Sequence, residues 1–174
     1  MPPNKTWKST EYQIAALLGG KRTPLSGSNS GHHTSSDVLG LPDRFYIEIK
    51  RRKAYTTFFT PYIEHLKRGR HFVIPGTNLI FFWLSPKGEF EKNPSSYLSP
   101  SNPNRTRAIK SLFEATQKLG LHEGRSIPIL IFRGHSMKGF FVLLKRIDLK
   151  EFTELLNEAG LRREQLALEK QSSS

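Results

Sequence analysis

The chain has 174 residues, with 27 Lys plus Arg against 15 Asp plus Glu, a formal charge of +12 and a pI of about 10.1. That is the length of one domain able to bury a core unaided, and its charge favours a polyanionic partner, nucleic acid foremost. The lack of cysteine excludes disulfide frameworks and Cys-based zinc motifs and fits a reducing compartment. No apolar run approaches the ~18 residues of a membrane helix, and nothing at the start reads as a signal peptide, so the expectation is a soluble, cytoplasmic protein.

A first helix is expected from about Ser9 or Thr10 to Leu18. Thr10 and Gln13 resemble a capping box, and Gly19-Gly20 a stop. Ile14, Leu17 and Leu18 mark its buried face, and Glu11 lies on or near that face by helical spacing. Lys21 to Leu25 reads as a short edge strand. Ser26 to Ser36 is a loop of Ser, Gly, Asn, His and Thr, equally suited to meeting a phosphate with N–H groups and hydroxyls and to being a plain surface loop.

The stretch from Ser36 to Lys53 reads as a strand hairpin. Val38 and Leu39 lead into a turn at Gly40, Pro42 and Asp43, and Phe45 to Lys53 then alternates with period 2. The alternation puts Tyr46, Glu48, Lys50 and Arg52 on one face and Phe45, Ile47 and Ile49 on the other. An acid beside an amine, opposite an incoming Asp37, is a chemical arrangement. Paired carboxylates chelate a hard divalent cation, and the ammonium holds water or offsets charge on a phosphate. The bland alternative is a Glu48–Lys50 salt bridge on an exposed strand.

Residues 54–104 are the least regular and read as an insertion or specificity region. It contains a helix from Thr57 to Lys67 broken near Pro61, a strand from Leu79 to Leu84, a Ser85-Pro86-Lys87-Gly88 turn, and a loop from Asn93 to Asn104. A helical stripe follows at Ile109, Leu112, Phe113, Thr116 and Leu119, ended by Gly120. Ile127 to Phe132 and Phe140 to Leu144 are unbroken apolar strands that need cover on both faces. Asp148 to Glu151 suggests a capping box for a helix closed by Gly160, and the rest, from Leu161, a C-terminal helix or frayed tail. The sum is one α/β domain over residues 1–160, a sheet between helices.

Ser36-Asp37, ten further residues, then Glu48-Ile49-Lys50 resembles the signature of the PD-(D/E)XK nuclease superfamily, with serine where proline is usual. Pro42-Asp43 offers a competing registration, disfavoured because Asp43 belongs to the turn. The superfamily's restriction-endonuclease-like αβββαβ core, a mixed sheet flanked by helices, matches the expected element order. Lys21-Arg22-Thr23-Pro24-Leu25-Ser26-Gly27-Ser28 with Ser36-Asp37-Val38 looks most like the archaeal and phage-type Holliday-junction resolvases, whose N-terminal-helix glutamate Glu11 matches.

The resemblance implies a Mg²⁺-dependent DNA endonuclease, with Mn²⁺ as substitute, acting as a homodimer on branched DNA. Its catalytic set would be Glu11, Asp37, Glu48 and Lys50. Asp37, Glu48, the Ile49 backbone carbonyl and Glu11 would hold metal, and Lys50 would orient or help deprotonate the water. Arg22, Ser26, Ser28, His32, Arg51, Arg52 and Lys53 would contact phosphates. A sequence-specific homing or restriction-type endonuclease of the same core, and a nuclease-fold protein that only binds nucleic acid, are the alternatives. His32-His33 raises a His-centred nuclease, but His65, His71, His122 and His135 are dispersed and form no partner cluster.

Overall fold

In the computed structural model, which describes residues 7–24, 34–92, 94, 97–100, 102–135 and 137–174, a six-stranded mixed sheet runs between two layers of helices. The elements in order are α1 (Trp7–Leu18), β1 (Lys21–Arg22), β2 (Val38–Leu39), β3 (Phe45–Arg51), α2 (Lys53–Lys67), β4 (His71–Val73), β5 (Leu79–Leu84), β6 (Tyr97–Leu98), α3 (Pro103–His122), β7 (Ile127–Arg133), β8 (Phe140–Lys145), a 3-10 turn at Arg146–Asp148, and α4 (Leu149–Ser172). The sheet order is β3-β7-β8-β5-β4-β6, and β1 and β2 form a separate antiparallel ribbon. β3 and β7 are parallel and in register from Phe45 opposite Ile127 to Arg51 opposite Arg133. Among the described residues no helix is long and apolar enough to cross a membrane.

The period-2 pattern of β3 sorts its side chains as expected. Phe45, Ile47 and Ile49 join Ile14 and Leu18 of α1 and Phe152, Leu155 and Leu156 of α4 in one core layer. On the other face Phe59 and Tyr62 of α2 and Ile109 and Phe113 of α3 pack with Phe81, Leu130, Phe132, Phe141 and Leu143. Strands β7 and β8 are apolar nearly throughout because both of their faces are covered.

Residues 54–104 are woven into this sheet. β5 pairs with β8 over six residues, and its Ile80, Phe81 and Phe82 are fully buried. A segment that reads locally as an insertion therefore carries half of the strands.

Several end signals fall elsewhere. α1 begins at Trp7, so Thr10 lies inside the helix, buried and without a hydrogen-bond partner for its Oγ1, and is no cap. β3 stops at Arg51, and Lys53 opens α2, which runs through Pro61. α3 is capped by Asn102, whose side chain accepts from the N–H groups of Asn104 and Arg105, and has Pro103 at its first turn. It continues past Gly120, where a Cβ would come within 3.2 Å of the Tyr46 Cβ. Glycine there serves close helix-to-sheet contact, not termination. Asp148 makes no capping bond, lying 3.8 Å from Lys145, and α4 passes through Gly160 to Ser172, making residues 161–172 helical.

Candidate active site

The site is built on the outer edge of β3. Ile127 N–H donates to the Arg44 carbonyl and Arg52 N–H to the Arg133 carbonyl, so the even-numbered residues of this stretch bond toward β7. The odd-numbered residues turn their N–H and C=O groups to the opposite edge, since a residue in an extended strand points both groups the same way. That edge meets the residues leading into β2. Asp37 N–H donates to the Ile47 carbonyl at 2.8 Å, Thr23 N–H donates to the Asp37 carbonyl at 3.0 Å, and Ile49 N–H donates to Asp37 Oδ2 at 2.7 Å. Asp37 is thus buried and held beside Ile49, whose carbonyl faces the same edge.

Ser36 stands where the resembled signature has proline, and its bonds suit serine. Its Oγ accepts the Ile47 N–H at 3.0 Å, and its own N–H donates to Thr34 Oγ1 at 3.1 Å. Proline has neither the hydroxyl nor the N–H for these bonds. Asp43 sits exposed in the turn, whose Pro42 carbonyl accepts from Phe45 N–H.

Glu48 and Lys50 project from the same face of β3, with Lys50 Nζ 3.2 Å from Glu48 Oε1 and both side chains partly exposed. Glu11 of α1 is buried and accepts from Arg22 Nε at 2.5 Å. Burial raises the Glu11 pKa above the ordinary carboxylate value. Arg22 counters this, while the negative charge of Glu48 raises it further. The two acids thus repel each other across a partly desolvated corner. As the side chains stand, Glu11 is turned onto Arg22 and Glu48 onto Lys50. Among the described residues no three His, Cys, Asp or Glu side chains converge into a metal-holding group.

Arg22, expected at a phosphate, instead spans Glu11 and the ring of Tyr12, 5.5 Å from its guanidinium. Arg52 and Lys53 are exposed at the start of α2, in a first turn without an acid, so side-chain charge and the helix N-terminus are both positive there. Arg51 turns to the α1 side of the sheet. Ser26, Ser28 and His32, together with His33, lie outside the described residues.

Sequence reasoning did not find the network under the strap that carries Asp37. Glu123, just past α3, accepts from Ser35 N–H at 3.0 Å and from Ser35 Oγ at 2.5 Å, and Ser35 Oγ lies 2.8 Å from the Tyr46 hydroxyl. Burial pushes the Glu123 carboxyl up, but bonds from Ser35 and Thr34 and the charge of Arg125 hold it below its ordinary value. Burial pushes Tyr46 up to about 12, with Glu48, Glu123 and Asp37 adding to the rise and the bond to Ser35 opposing it. The neutral phenol therefore bridges the strap to the acidic face. Tyr46 was visible on the Glu48 face, whereas Glu123 lay beyond the apparent helix stop at Gly120.

Searches of protein-family models, of curated proteins and of solved structures find no match to the chain.

Proposed function

We propose that this chain is a metal-dependent DNA endonuclease of the PD-(D/E)XK type that hydrolyses phosphodiester bonds, resolvase-like in its motifs and acting as a homodimer. The single observation that carries the reading is the 2.7 Å bond from Ile49 N–H to Asp37 Oδ2. It joins the two halves of the sequence signature across the hairpin, leaving Asp37 beside Glu48-Ile49-Lys50. The element order lends partial support: α1, β1, β2, β3, α3 and β7, with β3 parallel to β7, can be laid along an αβββαβ order once α2 and β4 to β6 are set aside, with β1 and β2 paired outside the six-stranded sheet.

The donor set fits a hard divalent cation. Asp37, Glu48 and Glu11 would supply carboxylate oxygens and Ile49 a carbonyl facing the same edge once Glu11 turns from Arg22 and Glu48 from Lys50, and a cation would ease the repulsion between the two glutamates. A bound Mg²⁺ would lower the cost of forming hydroxide and offset charge on the phosphate. The chain's own residues do the rest. Lys50 holds a water on the Glu48 side through its ammonium, Asp37 is fixed by backbone bonds so that its carboxylate needs no reordering, and Arg52 and Lys53 bind the nucleic-acid backbone alongside.

The test is a cleavage panel with Mg²⁺ offering a four-way junction, linear duplex, single-stranded DNA and structured RNA. Paired symmetric nicks in the junction support the resolvase reading, and one preferred duplex sequence assigns a homing or restriction type. Salt-sensitive binding without cleavage under any metal reduces the protein to a nucleic-acid-binding module. Cleavage undiminished in Lys50→Ala removes the assigned centre.

A further inference from the structure

The parallel strands β3 and β7 end on Arg51 and Arg133, neighbours in register. Beyond them, against α1 and the β7–β8 connection, is a cavity of about 350 Å³ lined by Ser9, Thr10, Gln13, Arg51, Arg133 and Lys138 among others. Arg133 Nε donates to the Met137 carbonyl at 2.6 Å and Nη1 to Gln13 Oε1 at 3.0 Å, which fixes its guanidinium plane. The long 3.5 Å bond from Arg51 Nη2 to the His135 carbonyl leaves its buried Nε unpartnered. Thr10 is 1% exposed, and its Oγ1 has no partner either. Among the described residues, none of Arg51, Arg133 and Lys138 forms a salt bridge with a carboxylate.

Two half-buried guanidiniums side by side, with the exposed ammonium of Lys138 at the rim and no carboxylate paired to them among the described residues, make an unfavourable arrangement until an anion enters. Burial and the charge of Arg51 both lower the Arg133 pKa, the sign expected of adjacent like charges. The donors left for a ligand come from separate elements: Arg51 Nε, Arg133 Nη2, the Lys138 ammonium and the hydroxyls of Ser9 and Thr10. That spread matches a tetrahedral oxyanion better than a planar carboxylate. The volume exceeds that of a bare oxyanion and leaves room for an attached sugar.

We propose that this cavity is a phosphate-binding subsite, formed by Arg51, Arg133, Lys138 and Thr10, that takes a phosphate group of a nucleic-acid strand. It abuts the stretches of α1 and β3 that carry Glu11 and Lys50, so a strand held here is led past the candidate catalytic edge. The identity of the polymer rests on the nuclease reading, but the anion site itself does not.

Inorganic phosphate titrated into the full chain, followed by amide and arginine Nε chemical shifts, tests the site without any cleavage. Saturable shifts at Thr10, Gln13, Arg51 and Arg133, lost in Arg133→Gln and weakened in the surface variant Lys138→Ala, are expected. No saturable shift there, or equal shifts in both variants, overturns the proposal. A second arm measures anisotropy of oligonucleotides with a 5′-phosphate or a 5′-hydroxyl, in Ca²⁺ to suppress cleavage. Arg133→Gln should weaken binding by about tenfold and lower the salt slope by about one phosphate. A gain confined to the 5′-phosphate assigns a strand end, and equal binding an internal diester. No loss with either oligonucleotide overturns the subsite. Phosphate bound in the cavity by a protein that cuts nothing would leave the subsite standing and the nuclease reading refuted.

Discussion

Replacing Asp37 separates its structural from its chemical role. Asp37 is 6% exposed and its Oδ2 takes the Ile49 N–H at 2.7 Å. Asp37→Ala leaves that N–H without its acceptor, at a cost of about 1–3 kcal/mol. For a chain of this length each kcal/mol lowers Tm by roughly 2–4 °C, so the alanine variant should melt about 2–12 °C below the parent. Asp37→Asn keeps a carbonyl oxygen at the same place and should lose less than about 1 kcal/mol. On the nuclease reading both variants lose a carboxylate that would hold the metal, worth several kcal/mol of transition-state stabilisation, so cleavage should fall more than about 10²-fold in each. Thermal unfolding by circular dichroism and cleavage at fixed Mg²⁺ read the two effects separately. The reasoning fails if the asparagine variant melts as low as the alanine variant, because the bond is then not the anchor, or if it cuts at the parental rate, because Asp37 is then not in the chemistry.

Phe59→Ala should show that the segment 54–104 belongs to the core. Its ring is fully buried, 4.7 Å from that of Phe132 and 4.5 Å from that of Phe141, and its removal should cost about 3–5 kcal/mol, moving the urea midpoint down by about 2 M. A shift under about 0.5 M would make α2 peripheral. Glu11 predicts a pH dependence. Its folded-state pKa is raised above 4.5, so its contribution to stability is fully present below that value and is lost as pH rises through the raised one. Glu11→Gln keeps an acceptor for Arg22 and removes this dependence. The variant should therefore gain on the parent as pH rises from below 4.5 through the raised pKa in parallel urea titrations, and a difference that does not change with pH would contradict the assignment.

What was legible in the sequence was whatever local periodicity carries. The alternation from Phe45 to Ile49 gave the face of β3, and the hairpin turn at Asp43 gave the approach of Asp37, because both depend on residues near one another in the chain. The position of β5 between β8 and β4 was not legible, since its pairing with β8 joins segments some sixty residues apart and leaves no local pattern. Gly120 misled because glycine marks both helix ends and places where a neighbour comes too near for a Cβ, whereas Gly160 lies inside α4 with only the Arg163 guanidinium, 3.8 Å away, near an added Cβ. At Gly120 the neighbour is Tyr46. Thr10 misled in the same way, as a cap-type residue one turn inside a helix. Within the candidate site the acid–lysine pair was readable. Glu123 and the turning of Arg22 onto Glu11 were not, because each is decided by tertiary packing.

The outer edge of β3 has a consequence for solubility. A seven-residue border strand with an apolar face is a template for pairing with another chain, and proteins avoid this with short, charged or covered borders. The far border of this sheet is the two-residue β6, too short to recruit a partner. The β3 border has as its cover Ser36 and Asp37, which occupy the Ile47 and Ile49 backbone groups, and Arg125, which donates to the Phe45 carbonyl. Loosening this cover opens the sheet to edge-to-edge association, so Asp37, proposed for cleavage, also helps to keep neighbouring molecules from pairing along that strand.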